Sequence, residues 1–357
     1  MPRHATRPRA MALLLAVSLT GCSLGPAVVQ HDQLGYAAAL SEAGKRQTLL
    51  NVVKLRYADV PTFVSVNQLV SAYTMQGGIG LGSNIFTDAI RLGEDVSIGV
   101  NGSFSNTPTI TYTPIRGREF ARLLLAPLEP GELFGLLLAG VPAELVLGLG
   151  IHSLGNLRNE KSGATGSVPA HPQFIEAAGL TGQLLDAGLL SVRIEPNGIA
   201  SRVHLLFEGG TGNGTVDARE ARLRKLLGLD AESREFKVAY AMGEPAPGVV
   251  NIRTRSLVEV LGQLAADVAV PSSDVDEGRT YAMRSQPRPP MQPQITVENG
   301  FFAPSDAYVR VEYNGRWFWI ANDDLASKRI FSFVMLLFSL AQQTRPGQGP
   351  IITIPAS

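Results

Sequence analysis

The chain has 357 residues, of which 31 are basic and 31 acidic, so the formal net charge at pH 7 is +0. A hydrophobic fraction of 45% excludes wholesale disorder, which requires low hydrophobicity and a large net charge. The balanced charge gives no indication of a nucleic-acid partner, and a single cysteine excludes both an intrachain disulfide and a metal site built from cysteines.

Residues 1–21 are predicted to be a signal peptide. Three arginines in the first nine residues precede the apolar run 10–19, which is too short to span a bilayer and is typical of a secretory leader. The run ends in Leu19-Thr20-Gly21-Cys22, which resembles the bacterial lipoprotein signal. A plain secretory signal with a chance cysteine is the alternative.

The lipoprotein resemblance implies that Cys22 becomes the first residue of the mature chain and carries acyl chains such as palmitate. More than one acyl chain gives stable membrane anchoring, whereas one binds only marginally. Residue 23 is Ser and not Asp, which by similarity to enterobacterial sorting rules favours the outer membrane, on its periplasmic side, over the inner membrane. We therefore expect the membrane to be a partner through Cys22.

A lipidated tether is predicted over 22–35, followed by an N-terminal α+β region over 36–165. That region begins with a helix up to about Ala58 and contains a glycine-rich β segment over 62–113. Within the segment, aliphatic and small polar residues alternate strictly over 96–105, which is the period-two pattern of a β-strand.

A middle α+β region is predicted over 171–270, after a polar, glycine-containing loop. It contains a helix over 173–187, a hairpin whose turn includes Asn197-Gly198, and a helix that Ser256 and Glu259 cap reciprocally. Five prolines over 271–294 predict a linker or surface loop.

The C-terminal unit, 295–357, is predicted to be a hairpin, a helix and a final strand. Asn314-Gly315 is a strong hairpin signal because both turn positions need positive φ. The apolar run Ile330–Leu340 predicts a buried helix rather than a membrane span, because it is too short to cross a bilayer. The fold class expected for the whole chain is therefore α+β, with antiparallel β-hairpins and packed helices.

Four segments resemble a family of uncharacterised bacterial envelope lipoproteins. They are 315–320 (GRWFWI), 324–331 (DLASKRIF), 51–57 (NVVKLRY) and 108–114 (PTITYTP). The resemblance covers most of the mature chain and implies the compartment, but it implies no activity.

No segment predicts a catalytic residue, a metal site or a cofactor. No His-x-x-x-His spacing and no G-x-S-x-G motif occurs in the sequence. The glycine-rich stretch 209–214 lacks the Lys-Ser/Thr of a phosphate loop, and 274–278 lacks the closing Glu of a calcium loop, so both are interpreted as ordinary loops.

Aromatic residues of the C-terminal hairpin are the candidate binding residues. Trp317 and Trp319 alternate along one strand and are expected to lie near Tyr313, Val309 and Val311. This face is interpreted either as a platform for a glycan or peptide or, preferentially, as a face that packs on the helix that follows.

The leading functional hypothesis is a non-catalytic, lipid-anchored binding or scaffold module of the periplasm. One alternative is an oligomeric outer-membrane pore or export component to which each subunit contributes the hairpin of about 76–105, because transmembrane β-strands have the same length and alternation. Another is an envelope hydrolase whose site follows no recognised motif.

Overall fold

The structure is a computed structural model that describes residues 24–86, 93–163, 166–197, 200–209, 214–240, 246–283, 292–342 and 351–353. The predicted signal peptide and Cys22 lie outside the described residues, as does most of the glycine-rich stretch 209–214. The fold class is α+β, as predicted.

The secondary structure is as follows. The helices are α1 (Leu24–Arg56), α2 (Gly117–Leu125), α3 (Pro130–Leu138), α4 (Ala143–Gly150), α5 (Pro172–Asp186), α6 (Gly214–Leu227), α7 (Leu257–Ala265), α8 (Ser272–Asp276) and α9 (Leu325–Gln342). The strands are β1 (Val64–Phe86), β2 (Gly93–Pro114), β3 (Ile151–Leu154), β4 (Leu157–Arg158), β5 (Lys161–Gly163), β6 (Gly166–Val168), β7 (Leu190–Asn197), β8 (Ala200–Phe207), β9 (Glu235–Tyr240), β10 (Val249–Thr254), β11 (Glu298–Gly300), β12 (Val309–Tyr313), β13 (Arg316–Ile320) and β14 (Ile351–Thr353).

The chain divides into two compact units. We call residues up to 61 together with 126–339 the body, and residues 62–125 together with 340–357 the hairpin unit. This division differs from the predicted regions 36–165, 171–270 and 295–357, because the glycine-rich β segment separates from the helices on either side of it.

The body contains a six-stranded sheet in the order β4-β3-β10-β9-β8-β7. Its neighbouring strands are antiparallel except for β9 and β10, which are parallel. Buried aromatic side chains lie on this sheet: the rings of Phe207 and Phe236 meet edge to face, with centroids 5.8 Å apart. The sheet joins β3 and β4 of the predicted N-terminal region to the strands of the middle region.

Backbone polar groups at helix ends in the body are satisfied as the sequence predicts or by buried side chains. Ser256 and Glu259 form the predicted reciprocal cap of α7. At the end of α4, the buried guanidinium of Arg255 donates to the carbonyls of Gly148 (2.8 Å) and Leu149 (3.1 Å), and the Asn159 amide also donates to the Gly148 carbonyl. Cationic donors are favourable there because the last carbonyls of a helix have no partner within it.

Helix α1 begins at Leu24, so nearly all of the predicted tether is helical. Its buried residues Leu49, Val52 and Val53 are those expected from the helical spacing. The helix ends before Ala58, which has a φ of 56°.

Among the described residues, α9 is long and apolar enough to cross a membrane by length and composition alone. One face is buried in the body, including Phe331 and Val334, and Thr48 of α1 donates to the sulfur of Met335 at 3.1 Å. The prediction of a buried helix is confirmed for this face, while Leu325 and Leu336 are exposed.

Candidate functional site

The hairpin unit is built around two exceptionally long strands. β1 has 23 residues and β2 has 22, whereas strands in globular proteins usually have about 3–10. They pair antiparallel from Val64 opposite Pro114 to Phe86 opposite Gly93, with one register irregularity between Val66 and Gln68. At about 3.4 Å per residue the ribbon is roughly 75 Å long.

The register brings residues of like chemistry into opposite positions. Apolar positions pair with apolar positions: Met75 with Phe104, Ile79 with Val100, and Leu81 with Ile98. The intervening pairs are small or polar: Gln76 with Ser103, Gly78 with Asn101, Gly80 with Gly99, and Gly82 with Ser97. Because successive positions of a strand alternate between its two faces, one face of the ribbon collects apolar positions and the other collects small polar ones.

The apolar pattern has the extent of a membrane-spanning strand. It runs from Met75 to Ile85 on β1 and from Val96 to Phe104 on β2, which matches the length of about 9–11 residues of a tilted transmembrane β-strand. At its far end Ile85 lies opposite Glu94, so a charged position ends the pattern next to the connection 87–92. That connection lies outside the described residues.

The edges of the ribbon are mostly unpaired in the part of the chain that the structure describes. β14 pairs parallel with β1 at Gln68, Leu69 and Val70. Within the described ranges, the outer edge of β1 beyond Val70 and the outer edge of β2 are bonded to no strand. Such edges are templates for further strand pairing, and an isolated two-stranded ribbon is at best marginally stable in water.

The long hairpin is only partly anticipated by the sequence. The alternation over 96–105 and the strand 108–114 were expected as separate elements, whereas the structure continues through Pro108. Proline is tolerated there because β2 is an edge strand. The missed signal was the match between the two segments: apolar and glycine positions of 75–82 mirror those of 97–104 about one turn.

The C-terminal hairpin forms around Asn314 and Gly315, both at positive φ as predicted. The placement of the tryptophans beside Val309, Val311 and Tyr313 was wrong. A two-residue turn places Tyr313 opposite Arg316, so that Glu312 lies opposite Trp317 and Val311 lies opposite Phe318. The tryptophans therefore share a face with charged positions of β12, since directly opposite residues lie on the same face.

The opposite face of this hairpin faces the core. Val309, Phe318 and Ile320 are buried, and the Phe318 ring lies 6.2 Å from that of Tyr57 at the end of α1. Tyr313 belongs to this side: its ring centroid is 5.4 Å from that of Tyr57, and its hydroxyl donates to Asp59 at 3.2 Å. Burial and the neighbouring Asp59 raise the pKa of Tyr313. The structure thus separates Tyr313 from the two tryptophans.

Trp319 lines an open cleft of about 300 Å³ on the body. The carboxylates of Glu298, Asp306 and Asp323 surround it, whereas Trp317 is half-buried with the Arg310 guanidinium 5.7 Å from its ring. This cleft presents an indole and three carboxylates to solvent.

The acidic turn near Asp274 has a structural role. The Tyr57 hydroxyl donates to Asp274 at 2.6 Å, and Arg279 lies 3.3 Å from the same carboxylate. Burial and this hydrogen bond raise the pKa of Tyr57. Among the described residues, no group of three or more His, Cys, Asp or Glu side chains is placed to hold a metal ion.

Comparison of the chain with known protein families, with curated proteins and with solved structures finds no match in any of the three.

Proposed function

We propose that this chain is a lipid-anchored outer-membrane protein whose β1–β2 hairpin enters the bilayer together with the hairpins of other copies, as an oligomeric pore or export component. The observation that supports it is the register of β1 against β2, which sorts a membrane-length stretch into one apolar face and one small polar face.

More than one copy is needed because of the unpaired edges. A strand edge cannot face hydrocarbon, since each unsatisfied backbone group there costs several kcal/mol. A head-to-tail contact between identical copies, repeated around an axis, closes into a ring and leaves no edge. In that ring the apolar face contacts lipid and the small polar face lines the interior.

The lipid anchor supplies the location. Acylated Cys22 would hold every copy at the same membrane, with its thiol consumed in a thioether. The envelope-lipoprotein resemblance and the serine at position 23 support the outer membrane as that location.

Single introduced cysteines test this proposal, because Cys22 is the only native cysteine and lipidation removes its thiol. Val100→Cys and Asn101→Cys are adjacent positions of opposite pattern. In outer-membrane vesicles, a membrane-impermeant maleimide should label Asn101→Cys at least tenfold faster than Val100→Cys. Denaturation in detergent should abolish the difference.

Bilayer conductance by the purified lipidated protein is the companion measurement. Equal labelling at both positions together with no conductance would overturn the proposal. Intact-mass analysis showing an unmodified amino terminus would overturn its anchoring part.

A non-catalytic binding module is the second candidate, and the open cleft beside Trp319 favours it. Trp317→Phe leaves Trp319 as the sole tryptophan, since the chain has two. Its fluorescence should change in titrations with soluble peptidoglycan fragments or cationic peptides, and a flat response to both would exclude a ligand of either class in this cleft.

A further inference from the structure

The two faces of the hairpin are fixed by the register, but its two edges differ in how much of each is covered. β14 occupies the outer edge of β1 at Gln68–Val70, and within the described residues the edge from Ser71 to Phe86 is uncovered. We propose that the β1 edge from Ser71 to Phe86 receives the β2 edge of a second copy, and that β14 sets the lower limit of this pairing. The inference rests on the proposed function and names the partner and the boundary of its assembly surface.

The direction of the two edges fits a second copy. β1 and β2 run antiparallel within one hairpin. Placing β2 of one copy beside β1 of the next therefore continues an antiparallel sheet, with the strands alternating in direction around the ring. No other element has to move for this contact to repeat.

The faces restrict the register between copies. Within the hairpin, odd-numbered positions of β1 pair with even-numbered positions of β2, as in Ile79 with Val100. A shift by one residue exchanges the two faces of a strand, so it would place small polar positions of one copy among apolar positions of the next. The pairing between copies must therefore also join odd-numbered positions of β1 to even-numbered positions of β2.

β14 excludes this contact at the base of the ribbon. The backbone groups of β1 that point away from β2 can bond only one further strand. At Leu69 that neighbour is Ile352 of β14, in parallel orientation. The β2 strand of another copy can reach Leu69 only when β14 has left.

Cysteine cross-linking between copies tests the register. One tagged copy carries Leu81→Cys, and a second copy carries one cysteine from the series Val96, Ser97, Ile98, Gly99 and Val100. After coexpression and oxidation in the membrane, we expect the disulfide yield to be at least tenfold higher with even-numbered than with odd-numbered partners, because disulfides require closely spaced Cβ atoms on one face. Leu81→Cys and Ile98→Cys combined in one chain should cross-link internally, which reports that the hairpin has folded.

The limit set by β14 has its own test. A copy with Leu69→Cys is paired with a copy carrying Ile110→Cys or Tyr112→Cys. No cross-link should form in the full chain, and one should appear with Ile352→Pro, because proline removes the backbone N–H and does not fit a strand paired on that side. The matched Ile352→Val variant should behave as the full chain does.

The outcomes separate the two levels. An even-numbered ladder at Leu81 with equal Leu69 cross-linking in the full chain would overturn the role of β14 alone. Equal yields at odd and even positions, or conductance without cross-links at any position, would overturn the edge pairing. Absence of both cross-links and conductance would overturn the proposed function itself.

Discussion

The body and the hairpin unit solve the burial of apolar residues in different ways. In the body the longest strands have eight residues, and large side chains such as Phe236 and Phe318 are fully buried among helices and strands of the same chain. In the hairpin unit the strands are nearly three times longer, and their apolar positions lie on one face of a two-stranded ribbon. The body thus completes its core within one chain, whereas the ribbon has an apolar face suited to an external surface.

The same contrast holds for backbone groups. In the body, a buried guanidinium satisfies the end of α4 and a reciprocal cap satisfies the start of α7. The ribbon has long unpaired edges in its described part. Natural proteins avoid such edges by covering or closing them, so edges of this length indicate a partner strand.

The largest expected effect lies in the ribbon. Val100→Lys places a charge on the apolar face near the middle of the pattern, where an exposed lysine in a bilayer costs about 2–4 kcal/mol per copy. We expect oligomers and conductance to be lost, while the thermal unfolding of the body is unchanged. Both are measured on the detergent-extracted protein.

Asn101→Lys is the matched control for that substitution. It adds the same charge one position along, on the small polar face, and should retain oligomers while favouring anions over cations in bilayer recordings. Equal loss of oligomers in both variants would remove the distinction between the two faces.

A second substitution tests the body alone. Phe236→Ala empties a fully buried site beside Phe207 and should lower the free energy of unfolding by about 3–5 kcal/mol. Phe302→Ala, at a side chain that is 88% exposed, should change it by less than about 0.5 kcal/mol. Denaturant titration measures both, and comparable losses would contradict the core assigned to the sheet.

A smaller effect is expected at the start of α9. The Asp324 carboxylate accepts from the Ser327 backbone N–H at 3.0 Å, as an N-cap does. Burial opposes ionisation, but the hydrogen bonds from Ser327 prevail and lower the pKa of Asp324. Asp324→Ala should cost about 1 kcal/mol, whereas Asp323→Ala should leave the melting temperature nearly unchanged.

The smallest effect is a pH dependence of the body. Burial, and then the cations Arg253 and Arg255, lower the pKa of His152 below its usual value, while Glu259 acts in the opposite direction. The unfolded chain therefore binds more protons below about pH 6.5, and stability falls as the pH falls through that range. His152→Gln should reduce the drop in melting temperature between pH 7.5 and pH 5.5, and an undiminished drop would assign it to other groups.

Local chemistry made much of the body predictable. Asn314-Gly315 specified the C-terminal turn, Ser256 with Glu259 specified the cap of α7, and the spacing of Leu49 and Val53 specified the buried face of α1. Each of these signals lies within a few residues, where propensity and hydrogen bonding decide the structure.

Features that depend on distant pairing were not predictable in the same way. The sheet that joins β3 to β10 and the salt bridge between Arg279 and Asp274, which also links to Tyr57, depend on the whole body. The placement of Trp317 failed for a local reason: the parity of a two-residue turn was not applied to the strand pairs. The candidate hairpin was visible as alternation, but not as one continuous ribbon.

Helix α1 has a mechanical consequence for the proposed anchor. It starts two positions after Cys22 and is unbroken to Arg56, so its 33 residues make a rod about 50 Å long. A rod fixes both height and azimuth, because each added residue turns whatever follows by about 100°. With Cys22 acylated, the first part of α1 would act as a stalk that presents the body to the bilayer at a set standoff, in place of the slack leash that an unstructured leader would provide.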